Sequence, residues 1–171
     1  MNYHYTALYN KNAELLNKKP QMKKAVSLYN KYTPYFFAVA YAMLWVYGAL
    51  KGNFVPMDFV KIFCAPAFAL LTVSVMRLAI SHPRPYEEEG AGIIPLEKKS
   101  SASNSFPSRH LASASVIAVT FFPYLPAVGV LLTFLALGLG YKRFALGWHY
   151  PVDIDVGFLL GLAIGLLPIL L

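Results

Sequence analysis

The amino-acid sequence predicts an all-α integral membrane helical bundle, with about five transmembrane helices and an N-terminal basic interfacial helix. Three observations lead there. Of 171 residues only 15 are Lys or Arg and 8 are Asp or Glu, while 57% are apolar. A soluble domain carries roughly a quarter charged residues, about twice this share, and disordered chains lack the apolar and aromatic residues present here. The apolar residues are also gathered into uncharged runs of membrane length, and the period-two alternation of a β-barrel is absent. A single cysteine, Cys64, allows no internal disulfide and no thiolate metal cluster.

Residues 1–33 form a basic amphipathic arm, with Lys11, Lys18, Lys19, Lys23, Lys24 and Lys31 against Glu14 alone. Beside apolar runs, such an arm suits anionic headgroups better than nucleic acid. It has no small-residue cleavage site before the first apolar run, so it is expected to be retained. Residues 34–171 form the membrane domain. Pro34 to Leu50 contains no charge over 17 residues, close to the roughly 20 that cross a hydrocarbon core, and is the first crossing. Gly52 and Asn53 close it. Pro56 opens a second crossing that runs to about Ile80, with Asp58 and Lys61 near the interface. Residues 82–107, rich in proline, acids and serine, read as an exposed loop. Leu111 to Tyr141 is uncharged over 31 residues, too long for one crossing. Pro123 and Pro126 divide it into helices of about 108–122 and 127–141. The last crossing starts at Pro151, a residue suited to a first helical turn. Glycines at 129, 138, 140, 157, 161 and 165 permit close helix approach in lipid.

Charged and imidazole side chains gather where these helices end on one membrane face. Arg77 lies near the C-terminal end of the second helix with Arg84 seven residues later, Arg109 and His110 open the third, Arg143 ends the fourth, and His149 precedes the fifth. An ionised residue deep in a bilayer costs about 2.5–3.5 kcal/mol on insertion scales, so such grouping calls for water or an anion. Guanidinium forks match a tetrahedral oxyanion in two-point hydrogen bonds. Ser108 stands as N-cap of the third helix, whose amide end is a ready anion site. His149 and Asp153 are four residues apart and share a helical face if the helix begins near His149, so the carboxylate can hold one ring nitrogen and leave the other for the anion.

Three blocks, R-x6-RP (Arg77, Arg84, Pro85), PSRH (Pro107 to His110) and R-x5-H-x3-D (Arg143, His149, Asp153), resemble the tripartite signature of the type 2 phosphatidic acid phosphatase family, which includes bacterial lipid phosphatases and vanadium haloperoxidases. The resemblance covers about residues 35–171. It implies a metal-independent phosphatase in which His149 is the nucleophile, Asp153 orients its ring and His110 is the general acid. Arg77, Arg84, Ser108, Arg109 and Arg143 would bind phosphate. Two positions depart from the family pattern: Arg109 replaces the usual glycine, and Lys142 replaces the serine before Arg143. Members commonly have six crossings, against five read here.

The expected substrate is a lipid phosphate: phosphatidate, phosphatidylglycerophosphate and undecaprenyl diphosphate all present a terminal phosphate on a long chain. No cofactor, metal or nucleic acid is expected; membrane lipids are. The alternative from another class is a non-catalytic lipid-phosphate binder or carrier, which would use the arginines but not His149, Asp153 and His110 together. Peroxidase chemistry, the third reading, suits a small membrane bundle poorly. His82 and His4 read as headgroup or capping residues, Trp148 as an interface residue, and Glu87 to Glu89 as solvated acids. A multi-pass protein of the cell membrane is expected. The excess of basic residues favours a cytoplasmic site, whereas family members usually face outward; the sequence does not choose the side, the lipid or the oligomeric state.

Overall fold

The computed structural model describes residues 3–52, 54–88, 91–97 and 104–170. Six helices follow in order: α1 Tyr3–Lys18, α2 Pro20–Lys51, α3 Pro56–Ala79, α4 Arg109–Thr120, α5 Pro126–Ala145 and α6 Pro151–Leu170. No strand occurs among the described residues. Proline is the first residue of α2, α3, α5 and α6, where its missing N–H costs nothing and its fixed φ suits the helix. Gly52 ends α2 at φ 65°, the left-handed conformation in which a helix commonly stops.

Four helices, α2, α3, α5 and α6, are long and apolar enough to cross a membrane. Their outward faces carry large apolar side chains such as Val39, Phe63, Leu71, Phe134 and Leu159, as lipid contact requires. The expected third crossing differs. Helix α4 has 12 residues, about 18 Å at 1.5 Å per residue, against a hydrocarbon core of about 30 Å. It is the central rod rather than a lipid-facing span. Eight of its residues are buried, and α3, α5 and α6 pack around it. The chain reverses directly after it, before Pro126.

The first crossing also begins earlier than the uncharged run suggests. Helix α2 passes through Pro34 and reaches back to Pro20. An interior proline removes one backbone bond, here the one to the Asn30 carbonyl, a loss that membrane helices tolerate. At 32 residues, α2 is about 48 Å long. Its lysine-bearing N-terminal part therefore projects beyond the hydrocarbon layer.

Close approach of α6 to α4 sets the core. A Cβ added at Gly157 would lie 2.6 Å from the Ser108 carbonyl oxygen, and one at Gly165 would lie 2.8 Å from Val119 Cβ. At Gly161 it would collide with Ser115 and with the Ala112 carbonyl. The three glycines recur at intervals of four, one stripe of a helix, and let two backbones touch. On the other side of α4, Leu111, Ala114 and Ala118 meet Leu132, Ala136 and Leu139 of α5 and Phe37 and Leu44 of α2.

The N-terminal helix docks on the protein as well as presenting exposed lysines. Tyr9 is 1% exposed and donates its hydroxyl to the Ile94 carbonyl at 2.7 Å. The Tyr5 ring lies 4.8 Å from that of Tyr150 and 5.6 Å from that of Phe144. Gly147, at φ 75°, offers Tyr9 a surface that any Cβ would obstruct at 3.0 Å. Helix α1 thus clasps both the loop after α3 and the α5–α6 connection.

Candidate active site

The helix order brings the C-terminal ends of α3 and α5 and the N-terminal ends of α4 and α6 to one end of the bundle. Arg77 lies in the last turn of α3. Its Nη1 donates to the carbonyls of Ser105 at 3.0 Å and Pro107 at 2.9 Å, so one guanidinium fastens the strap that leads into α4. Asn104 returns the bond, donating Nδ2 to the Arg77 carbonyl at 2.6 Å. Arg84 is 1% exposed and donates Nη1 to the Trp148 carbonyl at 2.9 Å, tying the first block to the third.

Arg143, in the last turn of α5, is buried with its guanidinium 5.2 Å from the centre of the Trp148 ring. Its Nε has no hydrogen-bond partner among the described residues. Ser108 occupies the N-cap position of α4, as expected, but its hydroxyl makes no capping bond. That hydroxyl is buried without a partner, while the Ser108 amide donates to the Asp153 carbonyl at 2.9 Å. The cap is therefore positional, and its oxygen is left for another ligand. Buried donors of this kind are uncommon in folded proteins, and donors on both Arg143 and Ser108 suit an oxyanion.

Asp153 sits in the first turn of α6, where the helix dipole favours a carboxylate. Oδ2 accepts the Tyr150 amide at 3.0 Å, a reciprocal cap that fixes the side chain, and lies 3.4 Å from His149 Nδ1. That separation is long for a hydrogen bond; catalytic hydrogen bonds of this type tighten as the transition state is bound. Both side chains are buried. Burial holds the His149 imidazole down at about 4; Asp153 opposes the shift, and Arg84 and Arg143 reinforce it. The ring is therefore neutral at physiological pH. With Nδ1–H directed at Asp153, the Nε2 lone pair is available to an electrophile.

The structure thus brings together Arg77, Arg84, Ser108, Arg143, His149 and Asp153. It places Arg109 and His110 differently. Both line a cavity of about 370 Å³ with Pro34, Phe37, Leu70 and Leu139, where apolar walls from α2, α3 and α5 meet the amide end of α4. Arg109 is exposed and His110 partly buried. Lys142 turns away from the Trp148 side of α5, with its ammonium 4.4 Å from the centre of the Tyr29 ring on α2.

The structure adds to the sequence expectations at four places. Trp148 is 8% exposed rather than an interface residue: its ring lies beneath Arg143 and its Nε1 donates to the Glu97 carbonyl at 2.8 Å. Two of the acids are structural. Glu87 accepts the Arg84 amide at 3.0 Å and Glu88 accepts the Tyr150 hydroxyl; Glu89 lies outside the described residues. The loop after α3 is not simply exposed, because Arg84, Pro85, Ile93, Ser105 and Pro107 are buried. His82 keeps 37% of its side chain exposed but also has partners within the protein: its Nδ1 lies 2.8 Å from Ser105 Oγ and 3.6 Å from Asp153 Oδ1. The side chain of His4 lies outside the described set. No spacing rule links residue 82 to residue 153, so only the fold reveals that contact.

The model of the PAP2 superfamily matches residues 58–170, a stretch that contains all three sequence blocks. Two solved structures resemble the chain. LpxE from Aquifex aeolicus aligns with a TM-score of 0.68 at 22% identity, over 93% of each chain. A transmembrane PAP2 type phosphatidylglycerolphosphate phosphatase from Bacillus subtilis aligns with a TM-score of 0.48 at 21% identity, over 96% of this chain and 92% of that one. No curated protein matches significantly. At these identities the likeness to LpxE speaks for the fold, and the family pattern speaks for membership. Because that pattern runs from the start of α3 to the end of α6 and includes every residue of the buried cluster, this multi-pass membrane protein belongs to the PAP2 superfamily.

Proposed function

We propose that the protein is a lipid phosphate phosphatase of the cell membrane that works through a phosphohistidine on His149. The observation that carries this reading is a neutral, buried imidazole, paired with a buried carboxylate and flanked by the buried guanidiniums of Arg84 and Arg143. A binder needs the cations alone. A neutral ring beside them is what a nucleophile requires.

In the first step, His149 Nε2 forms a bond to phosphorus as the bond to the lipid oxygen breaks. His110 gives its proton to the departing alkoxide. Arg77, Arg84, Arg143, the Ser108 hydroxyl and the amide end of α4 hold the non-bridging oxygens, on which charge lies in the loose transition state. Asp153 stabilises the His149 ring as it becomes cationic. In the second step, water attacks the phosphohistidine, neutral His110 takes its proton, and inorganic phosphate leaves with His149 restored. Arg109 adds charge at the mouth. The apolar cavity beside His110 receives the first part of the lipid chain, leaving the scissile group at the interface. Residues 1–33 act as the interfacial arm and residues 34–171 as the phosphatase domain.

The test uses purified full-length protein in mixed micelles with phosphatidate, phosphatidylglycerophosphate and undecaprenyl diphosphate. The expected result is release of inorganic phosphate from at least one of them, with a transient acid-labile, base-stable phosphoenzyme. Saturable binding without phosphate release would instead identify a lipid-phosphate carrier.

A further inference from the structure

The two oxygens of Asp153 have different neighbours. Oδ2 accepts the Tyr150 amide and faces His149. Oδ1 is buried, accepts no hydrogen bond of ordinary length, and faces Nδ1 of a second imidazole, His82, at 3.6 Å. A buried carboxylate oxygen strongly favours a donor at that place.

The neighbours of His82 decide where its proton lies. Ser105 Oγ is 2.8 Å from His82 Nδ1, 3.2 Å from the His82 carbonyl and 3.0 Å from the Pro83 carbonyl. The hydroxyl has one proton to give. Given to a carbonyl, it leaves Oγ as acceptor for a proton on Nδ1. Given to Nδ1, it would leave both carbonyls without it and turn a nitrogen lone pair toward the Asp153 carboxylate. The first arrangement keeps a carbonyl bonded and sets no lone pair against the carboxylate, so His82 carries hydrogen on Nδ1, directed between Ser105 Oγ and Asp153 Oδ1. A small rotation of the ring turns the 3.6 Å approach into a hydrogen bond.

The ring is also held in place. Tyr150 meets it edge-on at 5.3 Å and Phe106 lies 6.2 Å away. The Ser105 amide donates to the His82 carbonyl at 2.8 Å, and the Ser105 carbonyl accepts from Arg77. Other ionisable groups near the ring are Glu88, Asp155 and Tyr150, which share with it a cavity of about 620 Å³.

We infer that His82 is a positioning residue: its Nδ1–H holds Asp153 Oδ1, so that Oδ2 is presented to His149 and the His149 ring keeps Nε2 aimed at phosphorus. The inference rests on the proposed roles of His149 and Asp153 and extends them by one residue. Groups that orient a reacting imidazole from behind typically change activity by about 10- to 100-fold when removed.

The experiment compares His82→Asn, whose amide nitrogen can replace Nδ1 as donor, with His82→Phe, which keeps a packed ring and has no donor. A His82→Ala variant completes the series. Single-turnover formation of the phosphoenzyme is followed beside kcat and KM. The expected result is a fall of about 10- to 100-fold in phosphoenzyme formation for Phe and Ala, with KM within about threefold, and recovery to within about fivefold of wild type for Asn. Retained activity in Phe with loss in Asn would assign the ring a packing role and overturn the inference. So would three variants all within about twofold of wild type. A wild-type protein that releases no phosphate from any lipid in the panel would instead sink the phosphatase reading itself, and is read before any variant is made.

Discussion

The two ends of the bundle treat a carboxylate in opposite ways. At the end away from the site, Asp58 in the first turn of α3 spends both oxygens. Oδ2 accepts the Val55 amide at 2.8 Å and Oδ1 accepts the Tyr124 hydroxyl at 3.0 Å. At the site end, Asp153 occupies the same first-turn position in α6, spends one oxygen on the Tyr150 amide and keeps its remaining capacity for two imidazoles. Around Asp58 the partners are used up by the fold. Around Asp153, donors on Ser108 and Arg143 have no partner among the described residues. The first arrangement is what a helix start needs for stability, whereas the second holds interactions in reserve. The same local device, an acid capping its own helix, thus serves architecture at one end and chemistry at the other.

The largest test of that contrast is His149→Ala. Turnover is expected to fall by at least about a thousandfold, since no other group supplies the nucleophile, with an unchanged thermal melting profile. Retention of a tenth of wild-type activity would remove the assignment. Next comes His110→Ala, expected to slow hydrolysis of lipid phosphates about 10²- to 10⁴-fold while sparing activated aryl phosphates, which need no proton on the leaving group. Equal losses on both substrates would argue against a general acid.

Gly157→Ala probes how the site end is built. The new methyl group would press on the Ser108 backbone, and overpacking of this kind costs about 1–3 kcal/mol. Loss of stability together with a fall in kcat is expected, because Ser108 moves with α4. A stabilised, fully active variant would show that the seam has slack. Asp58→Ala should lower stability by about 1 kcal/mol, the usual cost of a lost cap, with kcat within about twofold of wild type. A large loss of activity there would break the division between the two ends.

The smallest expected effect is an absence of change. Because burial holds His149 down at about 4, its neutral form is present throughout the range above that value and is lost only as pH falls through it. NMR of labelled histidine, assigned with His149→Ala, should show no titration of this ring between about pH 7.5 and 5.5, where an ordinary histidine changes charge. A midpoint in that interval would mean that Asp153 outweighs burial.

Much of this arrangement was legible in the sequence, because the relevant signals are local. Uncharged runs mark helices, prolines mark their starts, and four-residue spacing points to His149 beside Asp153, although α6 begins at Pro151 and His149 precedes the helix rather than sharing its face. The starts of α3 and α6 fall at the expected prolines for that reason. The start of α2 was not legible, since Pro34 looks like a beginning when only charge is counted. Helix α4 as a short buried rod was also hidden: uncharged residues look alike whether they face lipid or protein. The roles of Trp148, Ser105 and His82 depend on contacts between residues far apart in the chain. No pattern along the chain carries such contacts.

The glycine stripe of α6 has a broader consequence. Where Ser108 and Asp153 meet, their mutual placement is set by main chain resting on main chain, through the Ser108 amide and the bare face of Gly157. Side chains elsewhere on the bundle do not enter that contact. An engineer wishing to repaint the lipid-facing surface has wide latitude, provided positions 157, 161 and 165 keep their hydrogens.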